Sequence, residues 1–263
     1  MPSSRPREIR PIGARQTRVY GHRGDTARLP ENTLAAFRGA LAEGADGIEL
    51  DVHLTADGYP VVIHDYDLAR TTTGQGLVHE QRLDYIRRLS AGAGVDAGFA
   101  GERVPLLDEV LELDASTFQV EIKGIPTRAL IDTVVASVRN AGRAEDVEFT
   151  GHYAPAVAQA RAQTPGSRAG LFVLGRPAWM PSVLFQRLFT EQAIFGGFQV
   201  VHLQVANLAA VDVAEVRSRG LLLHATDADS DEQIRLALAA GVDQLTTRDP
   251  RRAVALANSA VTS

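Results

Sequence analysis

The chain has 263 residues, 45% of them apolar, and a net charge of −5, enough to bury a full core as one large domain or two small ones. The acidic balance argues against a nucleic-acid enzyme, whose phosphate partner is met by a basic surface, and the lack of cysteine removes any disulfide framework or thiolate metal site. No run approaches the roughly 20 apolar residues of a membrane span, and the first eighteen residues, with Arg5, Arg7, Arg10, Arg15 and Arg18, lack the apolar segment of a signal peptide. Residues 1–17 therefore read as a solvated basic tail, and the expected location is the cytoplasm.

Arg18-Val19-Tyr20 is a short β-prone run that stops at Gly21-His22-Arg23-Gly24, which predicts a histidine at the C-terminal end of a strand. Asn32 or Thr33 then offers a helix N-cap, and Leu34, Phe37 and Leu41 recur at helical spacing through Glu43. Gly44 ends that helix. Gly47–Val52 is the next strand, and Val61-Val62-Ile63 is a third, ending at His64. A glycine-rich, irregular region covers 66–104. Helices and strands then alternate. Helices are predicted over Pro105–Leu113, Arg128–Asn140, Pro155–Ala162, Ala209–Ser218 and Asp231–Ala239. Strands are predicted over Phe118–Ile122, Val147–Thr150, Gly170–Leu174, Phe198–Leu203, Leu221–His224 and Gln244–Thr246.

Strands separated by helices of ten or so residues mean parallel βαβ units. About eight such units in about 250 residues fit a (β/α)₈ TIM barrel better than an open doubly wound sheet, and no glycine-rich dinucleotide fingerprint follows the first strand. The expected organisation is one barrel domain over 18–255, with residues 66–104 as a small insertion over its mouth.

Glu49 and Asp51 lie two apart on a predicted strand, so their side chains leave the same face. Two acids on an inward face either hold a cation or repel each other at real cost. Glu121 ends another strand and supplies a third carboxylate. An all-oxygen set suits Mg²⁺ or Ca²⁺; the alternative is structural pairing with Arg23 or Lys123. His22 and His64 end different strands and can converge on one mouth, where imidazoles serve as acid and base near neutral pH. Arg23 and Lys123 are the cations placed to neutralise a phosphate. Of the other histidines, His53 continues the Glu49/Asp51 alternation and His79 falls in the insertion. His152, His202 and His224 lie near strand ends, where they could line the mouth.

His22-Arg23-Gly24, Pro30-Glu31-Asn32-Thr33, Gly44 through Val52, Thr55-Ala56-Asp57-Gly58 and His64-Asp65 together resemble the glycerophosphodiester phosphodiesterase family in order and spacing. The resemblance runs from Val19 to Pro250, strongly as far as Asp65. It implies a metal-dependent enzyme that hydrolyses glycerophosphodiesters to glycerol phosphate and an alcohol. It also implies one divalent cation on Glu49, Asp51 and Glu121, and His22 and His64 as the acid–base pair. Arg23 and Lys123 would bind the phosphate, and the substrate's own glycerol hydroxyl would be the first nucleophile, giving a cyclic phosphate.

The chain departs from the family pattern later on. A Trp-Thr-Val-Asn run stands as Ala225-Thr226-Asp227-Ala228, a Ser-Phe pair as Gly151-His152, and a Thr-Asp before a late proline as Thr247-Arg248-Asp249-Pro250. These departures fall on the alcohol side of the pocket. Trp179 to Phe198 is densely apolar, with Met180, Leu184 and Leu188 in an i, i+4, i+8 row. It reads either as a helix packed on the barrel or as an apolar rim for an acyl chain, a membrane surface or a second subunit. A lysophospholipase D-like activity on lysophospholipids and a barrel that binds a phospho-ligand without turnover are the rival readings.

Overall fold

A computed structural model describes residues 17–261; the basic tail expected over 1–17 otherwise lies outside the described residues. Among the described residues nine strands form: β1 (Arg18–His22), β2 (Gly47–Leu54), β3 (Pro60–Val62), β4 (Phe118–Ile122), β5 (Val147–Thr150), β6 (Arg168–Val173), β7 (Val200–Gln204), β8 (Leu222–Thr226) and β9 (Gln244–Thr247). Eight of them, all but β3, are parallel and hydrogen-bonded in a ring that closes through β1 against β2 on one side and β9 on the other. This is a (β/α)₈ barrel.

Helices return the chain between staves: α1 (Leu34–Ala42), α2 (Leu83–Ile86), α3 (Leu107–Leu111), α4 (Arg128–Asn140), α5 (Ala154–Gln163), α6 (Ser182–Phe195), α7 (Val213–Ser218), α8 (Asp231–Ala240) and α9 (Pro250–Val261). Outward-facing strand residues such as Ile48, Leu50, Val120, Phe149, Leu203 and Leu245 pack with helix residues such as Phe37, Val134, Val157 and Ile234 in one buried cluster. Alternation along each strand sends the other residues into the barrel.

Three expectations shift. The predicted third strand is β3, and it runs antiparallel to β2 as a flap outside the ring, not as a stave. The helix expected over Pro105–Leu113 is shortened to α3, because the Pro105 carbonyl accepts a hydrogen bond from the Val62 N–H. The segment before α7 winds as a 3₁₀ turn over Val205–Ala210, and α7 starts only where the Asp212 carboxylate caps the Glu215 N–H. Residues between β3 and α3 gather Ile63, Leu68, Val78, Ile86 and Val104 into a second small hydrophobic cluster together with Val61. Among the described residues, no helix is long and apolar enough to cross a membrane.

Candidate active site

The carboxylates come together through register. β1 sets His22 opposite Glu49 on β2, and β4 sets Glu121 opposite Asp51. One oxygen from each of Glu49, Asp51 and Glu121 falls within 4.8 Å of the others, with all three residues buried. Burial first, then the charges of Asp51 and Glu121, drives the Glu49 carboxyl well above its ordinary value; Glu121 is raised by burial and by Asp51. Asp51 Oδ1 is buried and accepts no hydrogen bond. Carboxylates that repel one another, one with an oxygen left without a donor, are what an oxygen-ligated divalent cation would relieve. The residues fit such an ion.

Cations and amides border the triad. The Arg23 backbone N–H donates to Glu49 Oε2 at 3.1 Å, and its guanidinium Nε lies 3.3 Å from Asp51 Oδ2. Lys123 donates to Glu121 Oε1 at 2.9 Å and stands 3.7 Å from Asp51 Oδ1. Burial works against the Lys123 charge, but Glu121 and Asp51 outweigh it and hold its pKa above the ordinary value. The Arg23 backbone is left-handed at φ 58°, and Gly24 follows at φ 94°. A Cβ on Gly24 would sit 2.5 Å from the Ala36 carbonyl carbon, so only glycine lets this turn close onto α1. Asn32, a candidate N-cap in the sequence, does something else. Thr33 caps α1, while Asn32 takes φ 55° and donates its amide to Asp51 Oδ2 at 2.8 Å.

His22 and His64 line one cleft of about 300 Å³ together with Arg23, Glu49, Glu121 and Lys123. Burial, and after it the Arg23 charge, pushes His22 below its ordinary value; its Nε2 is 3.9 Å from Glu49 Oε2. His64 Nδ1 is 2.6 Å from Asp65 Oδ1. Asp65 is gripped by Arg70, whose other nitrogens reach Glu31 at 2.8 and 2.9 Å, and Glu31 accepts from Arg23 at 3.0 Å. The Arg70 hydrogen bond, with that of His64 behind it, holds the Asp65 carboxyl well below the usual range. A continuous charged chain thus links His64 to Asp51. Asp65 and Glu31 sit inside the recognisable motifs, but Arg70 lies in the glycine-rich region and carried no sequence signal of its own.

The remaining histidines divide. His152 and His202 line the cleft, His152 stacked on Phe172. His79 is exposed. His53 is buried against Tyr66 and bonded to the His64 carbonyl, with burial bringing its pKa down to about 4; the cluster of possible metal ligands is Glu49, Asp51 and Glu121 without it. His224 lies beneath the cleft in a polar layer with Glu148, His202, Gln119 and Gln244. Glu148, His202 and His224 are close enough to suggest a second metal triad. The two imidazoles, however, stack 4.3 Å apart at 14°, so an ion in the plane of one ring lies outside the plane of the other. Hydrogen bonds already join the layer, and His202 donates to Glu148 at 2.8 Å.

Three comparisons bear on this geometry. Residues 22–252 match the model of the glycerophosphoryl diester phosphodiesterase family. A glycerophosphodiester phosphodiesterase of Caldanaerobacter subterraneus subsp. tengcongensis is 32% identical over 92% of this chain and 98% of its own. The crystal structure of a glycerophosphodiester phosphodiesterase from Agrobacterium tumefaciens superposes with a TM-score of 0.76 at 29% identity, covering 91% of this chain and 99% of that one. An Oleispira antarctica phosphodiesterase, solved with its product sn-glycerol-3-phosphate, shares the fold at a TM-score of 0.78 and 22% identity, over 92% of this chain and 97% of that one.

Proposed function

The chain belongs to the glycerophosphoryl diester phosphodiesterase family and is a hydrolase of glycerophosphodiesters, and from that premise we propose how its residues divide the reaction. Residues 18–255 act as one catalytic domain, with 66–104 as an insertion over its mouth. Glu49, Asp51 and Glu121 hold one Mg²⁺ or Ca²⁺, which when bound polarises the phosphoryl oxygens and stabilises charge in the transition state. Arg23 and Lys123 face the same cleft and neutralise the phosphate from either side of the triad.

His22 and His64 move the protons. One takes the proton of the substrate's glycerol hydroxyl as that oxygen attacks phosphorus; the other gives a proton to the departing alcohol. When water then opens the cyclic phosphate the roles reverse, so each histidine is acid once and base once. Asp65 fixes His64 by its Nδ1 and leaves Nε2 as the nitrogen available to substrate.

The observation that carries this reading is a single cleft lined by both histidines, both cations, Glu49 and Glu121, with Asp51 immediately behind. The test is release of glycerol phosphate from glycerophosphocholine by metal-stripped protein, before and after added Mg²⁺ or Ca²⁺, beside His22→Ala. Metal-restored turnover that falls by about 10²–10⁴ in the variant is expected, the range for a lost acid–base group. Metal binding without turnover would make the chain a phospho-ligand-binding barrel instead.

A further inference from the structure

The catalytic cleft has two unlike sides. On the β6 side it adjoins an apolar cavity lined by Met180, Phe185 and Leu188. β1 stands four places from β6 in the ring of eight, and there the cleft opens into a space of another kind. This side pocket of about 200 Å³ is lined by His22, Arg23, Thr26, Glu31, Arg70 and Arg248. His22 and Arg23 belong to both the cleft and the pocket, so a phosphodiester held against them has one ester arm at the pocket entrance.

The pocket wall is cationic, with three guanidiniums to one carboxylate. Glu31 uses both oxygens on two of them, accepting from Arg23 at 3.0 Å and from Arg70 at 2.8 and 2.9 Å. Arg23 leans further on Asp51, and Arg70 on Asp65. Arg248 is less committed. Its Nε lies 3.3 Å from Asp229 Oδ2, its side chain is 61% exposed, and it makes no side-chain hydrogen bond among the described residues. Its backbone, in contrast, is fixed on both sides. The Arg248 N–H donates to Asp229 Oδ1 at 2.8 Å, and its carbonyl accepts from the Ala27 N–H at 2.9 Å. Asp249, next in the chain, accepts from Arg28 at 3.1 Å. A guanidinium is thus held at the lip of a pocket that already carries two others, where like charges repel until an anion enters. The chain departs from the family pattern at this same position, with an arginine after Thr247 where that pattern has an aspartate.

We propose that this pocket takes a second phosphate, carried by the leaving alcohol of the substrate, and that Arg248 is the residue that selects for it; this rests on the phosphodiesterase reading above. Glycerol is uncharged, so an arginine-lined pocket does not suit the glycerol arm, and the alcohol arm is the one that enters. Guanidinium forks match phosphate oxygens in pairs, and Arg248 has N–H groups left to give. In the reaction the P–O bond to this alcohol breaks and its oxygen gains a proton, while water finally supplies the new P–O bond. The products are glycerol phosphate and a phosphorylated alcohol.

The experiment measures kcat/KM, with metal added, for four glycerophosphodiesters whose leaving alcohols differ at one end: 2-hydroxyethyl phosphate, 3-hydroxypropionate, ethylene glycol and choline. The values should fall in that order, following the charge of the head group. The phosphate ester should stand at least about tenfold above the ethylene glycol ester, the worth of one charge-assisted hydrogen bond. After circular dichroism confirms folding, Arg248→Ala should bring that ratio close to one and Arg248→Lys should keep part of it. Arg248→Glu should place the choline ester above the phosphate ester. Turnover of all four esters with no order by charge, or an order that Arg248→Ala leaves intact, overturns the proposal and leaves the phosphodiesterase reading standing. An equal loss on all four in Arg248→Ala makes the Arg248–Asp229 pair a structural one and overturns it as well. No turnover of any ester overturns the reading itself.

Discussion

Glu49→Gln separates a metal centre from a structural ion-pair network. Glu49 has two carboxylate neighbours whose oxygens approach within 4.8 Å. At an effective dielectric of about 20, each like-charge contact at that distance costs about 3 kcal/mol. Arg23 and Lys123 offset part of this, but the raised Glu49 carboxyl shows that burial and repulsion win. A group whose folded pKa lies above its unfolded one loses stability as pH climbs past the unfolded value. Neutral glutamine should therefore stabilise the metal-free protein at pH 7, on the order of 1 kcal/mol. Its carbonyl oxygen still accepts from the Arg23 N–H, and its amide can donate to a neighbouring carboxylate. With Mg²⁺ or Ca²⁺ at about 100 times Kd, the wild type gains about 2.7 kcal/mol, or about 5–10 °C in Tm for a domain of this size, while the variant gains little. The stability order should thus invert on adding metal. Thermal melts with and without each ion read this directly. A variant that is less stable than wild type in the absence of metal would refute the reasoning, since it would show Glu49 acting as an ion-pair partner.

Two further outcomes follow from groups outside the triad. Arg70→Ala frees Asp65 and Glu31 and should lower kcat/KM by roughly 10–100-fold, the usual cost of losing a residue that orients a functional group, with a shifted pH–rate profile. Arg70 is 48% exposed, so Tm should barely move, and Arg70→Lys should recover part of the rate. If Arg70→Ala leaves both rate and pH profile alone, the charged chain does not position His64. The polar layer beneath the cleft predicts acid sensitivity. Burial, then His202, lowers His224 from 6.5 to about 3. The unfolded chain thus takes up the proton first, and stability present above pH 6.5 drains as pH falls toward 3. Relative to His224→Gln, the wild type should lose stability between pH 6.5 and 4 with a slope approaching about 1.4 kcal/mol per unit. Urea midpoints at pH 7, 6 and 5 check this; a pH-independent difference would count against it. The comparison with a variant is needed because Glu49 and Glu121 shift with the opposite sign.

Much of the site is legible in the chain because its chemistry is local. His22, Arg23, Glu49, Asp51 and His64 fall within one short stretch, the two histidines and Arg23 at or just past strand ends and the two acids within β2. The period-two spacing of Glu49 and Asp51 puts them on one face before any tertiary contact forms. The alternation of strands and helices implies parallel strands joined by crossovers, and the count of about eight such units favours a barrel over an open sheet.

What the chain could not reveal depends on groups far apart in sequence. Register alone sets Asp51 opposite Glu121, and no spacing rule spans that gap. The insertion folds back so that Arg70 meets Asp65 and Glu31, an ion-pair geometry decided by tertiary placement. On α6 the sequence offers two adjacent apolar rows, Leu184/Leu188 and Phe185/Phe189, one residue out of phase. Periodicity cannot choose between them, because both repeat at helical spacing. Packing chooses: the phenylalanines fill the barrel side, and the leucines are left at the surface, Leu188 lining the cavity beside the catalytic cleft.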